Sequence, residues 1–232
     1  MPVVQIVQGS GPFPDFSNVH IVIDVLRAFT VAHYAFMKGV RGIELAGTVH
    51  EAFRMKEMNP DFLLAGEAEG LPIEGFDLDN SPARLNSRDV EGRYLIQKTT
   101  NGVKAVLNAL NADHVYVTGF SNAKTTALHI KHRLLKNDPR LTVKIIASHP
   151  SGDDDLACAQ YMKSILLNVN GPTSEETAAR IIASEAAQKF LDDTITEFDK
   201  DDIPYCIREQ ECGFVMKVVR VDNIPRIERV PI

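Results

Sequence analysis

The chain has 232 residues, 44% of them hydrophobic and 24% charged, enough for one large α/β domain or two small ones built on a real core. A formal net charge of −6 with no basic stripe argues against a duplex nucleic-acid binder, and no apolar run approaches the ~18 residues that a membrane span needs. Cys158, Cys206 and Cys212 match no common metal spacing and read as free thiols of a reducing compartment; Met1–Gln5 lacks the basic and apolar regions of a signal peptide, so a cytoplasmic location is expected.

His20–Asp24 is a β-branched run ending in a carboxylate, and Arg27 to Lys38 then carries apolar side chains at helical spacing until Gly39. Gly42–Ala46 reads as a strand, Val49 to Met58 as a helix stopped by Asn59-Pro60, and Phe62–Gly66 as a third strand. From Glu67 to about Val90 the sequence predicts one long loop, whose Leu71, Ile73, Phe76 and Leu78 argue against disorder. The alternation then resumes: strand Tyr94–Gln97, helix Gly102–Leu110, strand Val115–Thr118, helix Ala123–Leu135, strand Leu141–Ala147. Two helices follow, Asp154–Asn168 and Ser174–Leu191, and Gly213–Val219 alternates like a late strand, antiparallel and at a sheet edge. The expected fold is α/β: a largely parallel or mixed sheet with helices on both faces. It forms one domain over residues 1–232, or two similar α/β subdomains sharing a site.

Ligands of open parallel sheets bind beyond the C-terminal ends of the strands. The first such end offers Asp24, placed to hold a hard cation such as Mg²⁺, and Arg27, able to grip an oxyanion. The third offers Glu67 as a metal ligand or general base. Thr99-Thr100-Asn101-Gly102 opens a helix whose free N–H groups favour an anion, with Lys104 in the first turn. Ser121 and Asn122 repeat that pattern, and Asp154 and Asp155 open a further helix as candidate Mg²⁺ ligands. Each cluster separately also fits plain helix capping. Together, carboxylates for a metal and helix ends for an anion suit phosphoryl chemistry. A Ser-His-Asp hydrolase is less supported: Gly-x-Ser-x-Gly does not occur, and His149 is the best placed of the seven histidines.

At these residues the sequence resembles the 2-phosphosulfolactate phosphatases, the ComB-like phosphatases of coenzyme M biosynthesis. The matching stretches are Ile23-Asp24-Val25-Leu26-Arg27-Ala28, Gly66-Glu67, Gly75-Phe76-Asp77, Asn80-Ser81-Pro82, Thr99-Thr100-Asn101-Gly102 and Ser121-Asn122-Ala123. Asp154-Asp155 with Cys158-Ala159 matches more loosely, and Asp79, Asp154 and Phe29 depart from the usual glycine, glutamate and threonine. The resemblance implies a ComB-like fold and Mg²⁺-dependent hydrolysis of (2R)-2-phospho-3-sulfolactate to 3-sulfolactate and phosphate. The expected catalytic set is Asp24, Arg27 and Glu67. The expected metal set is Asp24, Glu67, Asp154 and Asp155. Arg27, Thr99, Thr100, Asn101, Gly102, Lys104, Ser121 and Asn122 are expected to hold the small anionic substrate. A phosphatase for another small phospho-hydroxy acid, or a non-catalytic binder of such a metabolite, are the alternatives. The sequence leaves a homo-oligomer open.

Overall fold

Val19–Ile23 forms a strand (β2) whose five side chains are all buried, as a strand covered on both faces must be. In the computed structural model, which describes every residue except Met1, Asp193 and Thr196, β2 follows an N-terminal strand β1 (Val3–Gln8). After β2 come helix α1 (Ala28–Met37), β3 (Gly42–Leu45), α2 (Val49–Met58), β4 (Leu63–Ala68), β5 (Leu71–Pro72), α3 (Pro82–Asn86) and β6 (Tyr94–Lys98). Next are α4 (Gly102–Asn108), β7 (His114–Thr118), α5 (Ala123–Ile130), β8 (Thr142–Ala147), α6 (Asp153–Leu167), α7 (Ser174–Ala183) and α8 (Glu185–Leu191). The chain ends with α9 (Ile203–Cys206), β9 (Phe214–Val221) and β10 (Ile224–Pro231).

Among the described residues the strands form one ten-stranded mixed sheet, in the order β1-β8-β2-β7-β9-β10-β3-β6-β4-β5. One half, β1-β8-β2-β7, is parallel, and so is β3-β6-β4. The β9–β10 hairpin lies between them and pairs antiparallel with β7 on one side and β3 on the other, so the two halves run in opposite directions.

Side chains alternate between the faces of a strand. Val22, Val117 and Ile146 of the first half and Ile43, Leu45 and Leu95 of the second enter one core cluster with α1 and α4. The opposite face of the first half, with Ile21, Ile23 and Ile145, packs on α5 and α6. The opposite face of the second half, with Leu64 and Ile96, packs on α2. The sheet therefore wraps around α1 and α4. That curvature brings the C-terminal ends of β2, β4 and β6 to one place, which a flat sheet of opposed halves could not do. Gln97 Nε2 donates to Ala28 O at 3.0 Å across this junction.

Three expectations are corrected. The predicted edge strand is antiparallel but central. Its partner β10 is reached through Asp222 and Asn223, both at positive φ (50° and 66°), the backbone of a two-residue type I′ hairpin. The predicted helix Ser174–Leu191 is broken at Ser184, which turns extended and accepts a hydrogen bond from Ala187 N as the cap of α8. The predicted loop after Glu67 contains β5 and α3; Ser81 caps α3 and Pro82 occupies its first turn, where a missing N–H costs nothing.

Candidate active site

The convergence leaves a cleft of about 360 Å³ lined by Asp24, Leu26, Arg27, Glu67, Glu69, Gly70, Asn80, Thr100, Asn101, His149, Pro150, Ala186, Lys189, Phe190 and Phe198. Beneath it a recess of about 30 Å³, roomy enough for a water or a small cation, is bounded by Asp24, Asn101, Ser148, His149, Asp154 and Asp155.

Asp24 ends β2 and is buried. Its Oδ1 accepts from Ala28 N at 2.9 Å. Burial pushes its carboxyl up to about 7 despite that bond, and Glu67 and Asp154 nearby add to the rise. A Cβ on Gly102 would lie 2.6 Å from Asp24 Oδ2, so the start of α4 can approach this carboxylate only because residue 102 is glycine.

Asp155 is raised well above the ordinary carboxylate range by burial and by Asp154 and Asp24. Both its oxygens are engaged: Oδ1 accepts from Val25 N at 2.8 Å, and Oδ2 from Ser148 Oγ and His149 N, each at 3.1 Å. It laces β2 to the segment after β8. Asp154 differs. It is buried, its carboxyl is raised by burial, and among the described residues its Oδ1 has no hydrogen-bond partner. A buried, unpartnered carboxylate oxygen costs about 1–3 kcal/mol or more.

Glu67 closes a different junction. Its Oε2 accepts from Gly70 N at 2.6 Å and Thr100 Oγ1 at 2.9 Å, and its Oε1 accepts from Thr100 N. Gly66 before it sits at φ +138°, and a Cβ there would lie 1.8 Å from Lys98 O. Thr100 Oγ1 in turn accepts from Glu69 N at 2.7 Å, and Thr99 Oγ1 caps α4 by accepting from Val103 N at 3.0 Å.

Arg27 is buried at the far end of the cleft, after a cis Leu26–Arg27 peptide. Its Nη1 donates to Asp202 Oδ2 at 2.6 Å, its Nη2 to Gly70 O at 3.4 Å, and its guanidinium lies 4.8 Å from the Phe190 ring centroid. Asp202 is fully buried, and its Oδ1 also accepts from Ser81 Oγ at 2.6 Å and Ala83 N at 3.0 Å.

Asp24, Arg27, Glu67, Thr100, Asn101, Asp154 and Asp155 thus meet in the cleft and its recess. Gly102 packs on Asp24 from behind. Thr99, Lys104, Ser121 and Asn122 line neither space. Lys104 is exposed on α4. Ser121 Oγ pairs with His33 Nδ1 at 2.8 Å, and Asn122 Oδ1 accepts from Thr118 Oγ1 at 2.8 Å and Gly119 N at 3.2 Å, so both are occupied inside their own loop. Ser148, Asp202, Phe190, Phe198 and Lys189 join the site without having been expected. Asp202 had one available signal, an acidic residue directly before the apolar Ile203-Pro204-Tyr205-Cys206.

The family model for 2-phosphosulpholactate phosphatase matches residues 8–220. The chain belongs to the 2-phosphosulpholactate phosphatase family. A relative in Bacillus subtilis (strain 168), named a probable 2-phosphosulfolactate phosphatase, is 53% identical over 92% of both chains. A protein of the same name in Symbiobacterium thermophilum is 41% identical over 75% of this chain and 73% of its own. Another in Clostridium perfringens (strain SM101) is 32% identical over 79% of this chain and 73% of its own. Within this 2-phosphosulpholactate phosphatase family fold, the acid-lined recess and the cleft above it are the concavity at which strand ends converge, with polar groups set among apolar ones in its lining.

Among the described residues no three His, Cys, Asp or Glu side chains form a ready-made metal cage. Mg²⁺ does not require one: it is held by one or two carboxylates and keeps several waters. Asp154, with an unpartnered Oδ1 and bordering the recess together with Asp24, fits that requirement, and the bonded oxygens of Asp155 and Glu67 fit a bracing role. No helix among the described residues is long and apolar enough to cross a membrane.

Proposed function

We propose that this chain hydrolyses the phosphomonoester of (2R)-2-phospho-3-sulfolactate, releasing 3-sulfolactate and phosphate, in an Mg²⁺-dependent reaction. The observation that carries the reading is the buried carboxylate recess of Asp24 and Asp154 opening into a cleft that also holds a buried arginine. Membership of the family and the names of the relatives support the substrate. Asp24 and Asp154 would hold Mg²⁺, which when bound neutralises phosphate oxygens and leaves phosphorus open to attack. The remaining steps belong to the chain's own groups. Asp155 fixes the end of β2 to the segment after β8, and Glu67 fixes the end of β4 to the segment after β6, which holds the walls of the recess around Asp24. Asn101 stands at the mouth of α4, where donors meet phosphate oxygens, while Thr100 commits its N–H and hydroxyl to Glu67 and braces that mouth. Arg27 supplies a fixed positive charge at the other end, for the part of the substrate that stays behind. Asp24, buried at the strand end that borders the recess, is also the group best placed to attack phosphorus or to take a proton from the attacking water.

Three free cysteines, two of them buried, support a reducing, cytoplasmic setting for this activity. The test is a panel of phospho-hydroxy acids ranked by kcat/KM. Phosphosulfolactate at the head of the panel supports the reading. A different phosphoester preferred by tenfold or more overturns the substrate while leaving the reaction class. An Asp24→Asn protein that folds and keeps wild-type activity removes Asp24 from both of its roles.

A further inference from the structure

Asn80 is buried and lines the cleft, yet among the described residues its side-chain amide finds no hydrogen-bond partner. Its Oδ1 is shut off from solvent without a partner, which leaves Nδ2 as the end open to the cleft. A buried amide oxygen without a partner is costly, and the same side chain leaves its N–H end as an uncommitted donor at the cleft wall.

Its placement is specified by other residues. Ser81, the next residue, donates to Asp202, and the same carboxylate receives Arg27. One buried aspartate therefore sets the position of the Asn80 amide relative to the guanidinium. Neither Asn80 nor Arg27 borders the carboxylate recess, so both belong to the end of the cleft away from the metal-suited aspartates. Lys189, exposed on the rim of the cleft, adds positive charge. Arg27 already spends part of its charge on Asp202. An uncharged donor beside it adds a hydrogen bond directed at one oxygen, where a second full cation would give little directional preference.

We propose that Asn80 is a specificity-determining residue: its Nδ2 donates to the acid group of the substrate that is not transferred, a carboxylate or a sulfonate, next to Arg27. The inference rests on the phosphatase reading for its choice of substrate.

The test compares wild type with Asn80→Ala and Asn80→Asp, their folding checked by thermal unfolding. Three substrates are used: phosphosulfolactate, which carries both acid groups; 2-phospholactate, which keeps only the carboxylate; and p-nitrophenyl phosphate, which has neither. A hydrogen bond to a charged group corresponds to a factor of about ten to a hundred. The ratio of kcat/KM for phosphosulfolactate to that for p-nitrophenyl phosphate is expected to fall at least tenfold in Asn80→Ala and further in Asn80→Asp. An equal fall with 2-phospholactate assigns the contact to the carboxylate, and a fall confined to phosphosulfolactate assigns it to the sulfonate. An unchanged ratio overturns the proposal while phosphosulfolactate turnover by the wild type still upholds the phosphatase reading. Should the wild type hydrolyse no phosphoester, that reading falls, and calorimetry with 3-sulfolactate decides Asn80 independently: binding at least tenfold weaker in Asn80→Ala supports the assignment, and equal or undetectable binding in both proteins overturns it.

Discussion

Replacing Asp202 with alanine removes the only counter-charge that the described residues place within hydrogen-bond reach of a buried guanidinium. Arg27 is 6% exposed and Asp202 0%, so water cannot take the carboxylate's place without local opening. Breaking one side of such a pair costs about 3–5 kcal/mol, because the remaining charge stays buried. Ser81 Oγ and Ala83 N also lose their acceptor, which holds the total near the upper half of that range. Against a domain stability of about 5–15 kcal/mol this is a large fraction. At about 2–4 °C per kcal/mol for a chain of this size, Tm should fall by roughly 10 °C. Denaturant unfolding monitored by circular dichroism gives the free energy, and a cycle with Arg27→Met isolates the pair. The double variant should be less destabilised than the sum of the singles by about 2 kcal/mol. Additive losses, or an Asp202→Ala protein within 2 °C of the wild-type Tm (roughly the shift expected for 1 kcal/mol or less), would refute the reasoning.

Other perturbations have equally defined outcomes. Burial lowers His33 to about 4, so below its unfolded value of about 6.5 the unfolded chain binds the extra proton; stability is complete above pH 6.5 and should fall by about 3 kcal/mol as pH drops to 4. Comparing the denaturation midpoints of wild type and His33→Gln at pH 4.5 and 7.5 checks this, since the variant should lose much of the difference. Gly102→Ala drives a methyl group against Asp24, and a displacement approaching 1 Å should lower phosphatase kcat by about a hundredfold. Wild-type activity in that variant contradicts the role of the Asp24 position. Saturating Mg²⁺ at about a hundred times its Kd should stabilise the protein by about 2.7 kcal/mol, raising Tm by roughly 5–10 °C. Asp154→Asn should abolish most of that rise in a thermal scan.

Asp24, Glu67, Thr100 and Asn101, picked out by the strand-end rule, border one cleft, because an apolar strand followed by a polar loop is a local pattern. What each side chain does there was not local. Asp155 was legible as an acid at a helix start, but its bonds to Val25 and Ser148 depend on β2 lying beside β8, a pairing between residues more than a hundred positions apart. Asp202 sits in the run Asp199-Lys200-Asp201-Asp202, which reads as solvated, and only the fold buries its last member. Ser121 and Asn122 carry the composition of an anion loop, yet their polar atoms are consumed by His33, Thr118 and Gly119. The late strand was visible by its alternation. Its central place was not, because β10 contains Pro225 and Pro231 and interrupts the expected strand chemistry.

The most direct test of the site is the rate of phosphate release from phosphosulfolactate by the purified protein in millimolar Mg²⁺ and again in excess EDTA. Turnover in Mg²⁺ that disappears in EDTA and returns when Mg²⁺ is restored is the predicted result. Turnover that persists undiminished in EDTA would contradict the assignment of Asp24 and Asp154 to a metal.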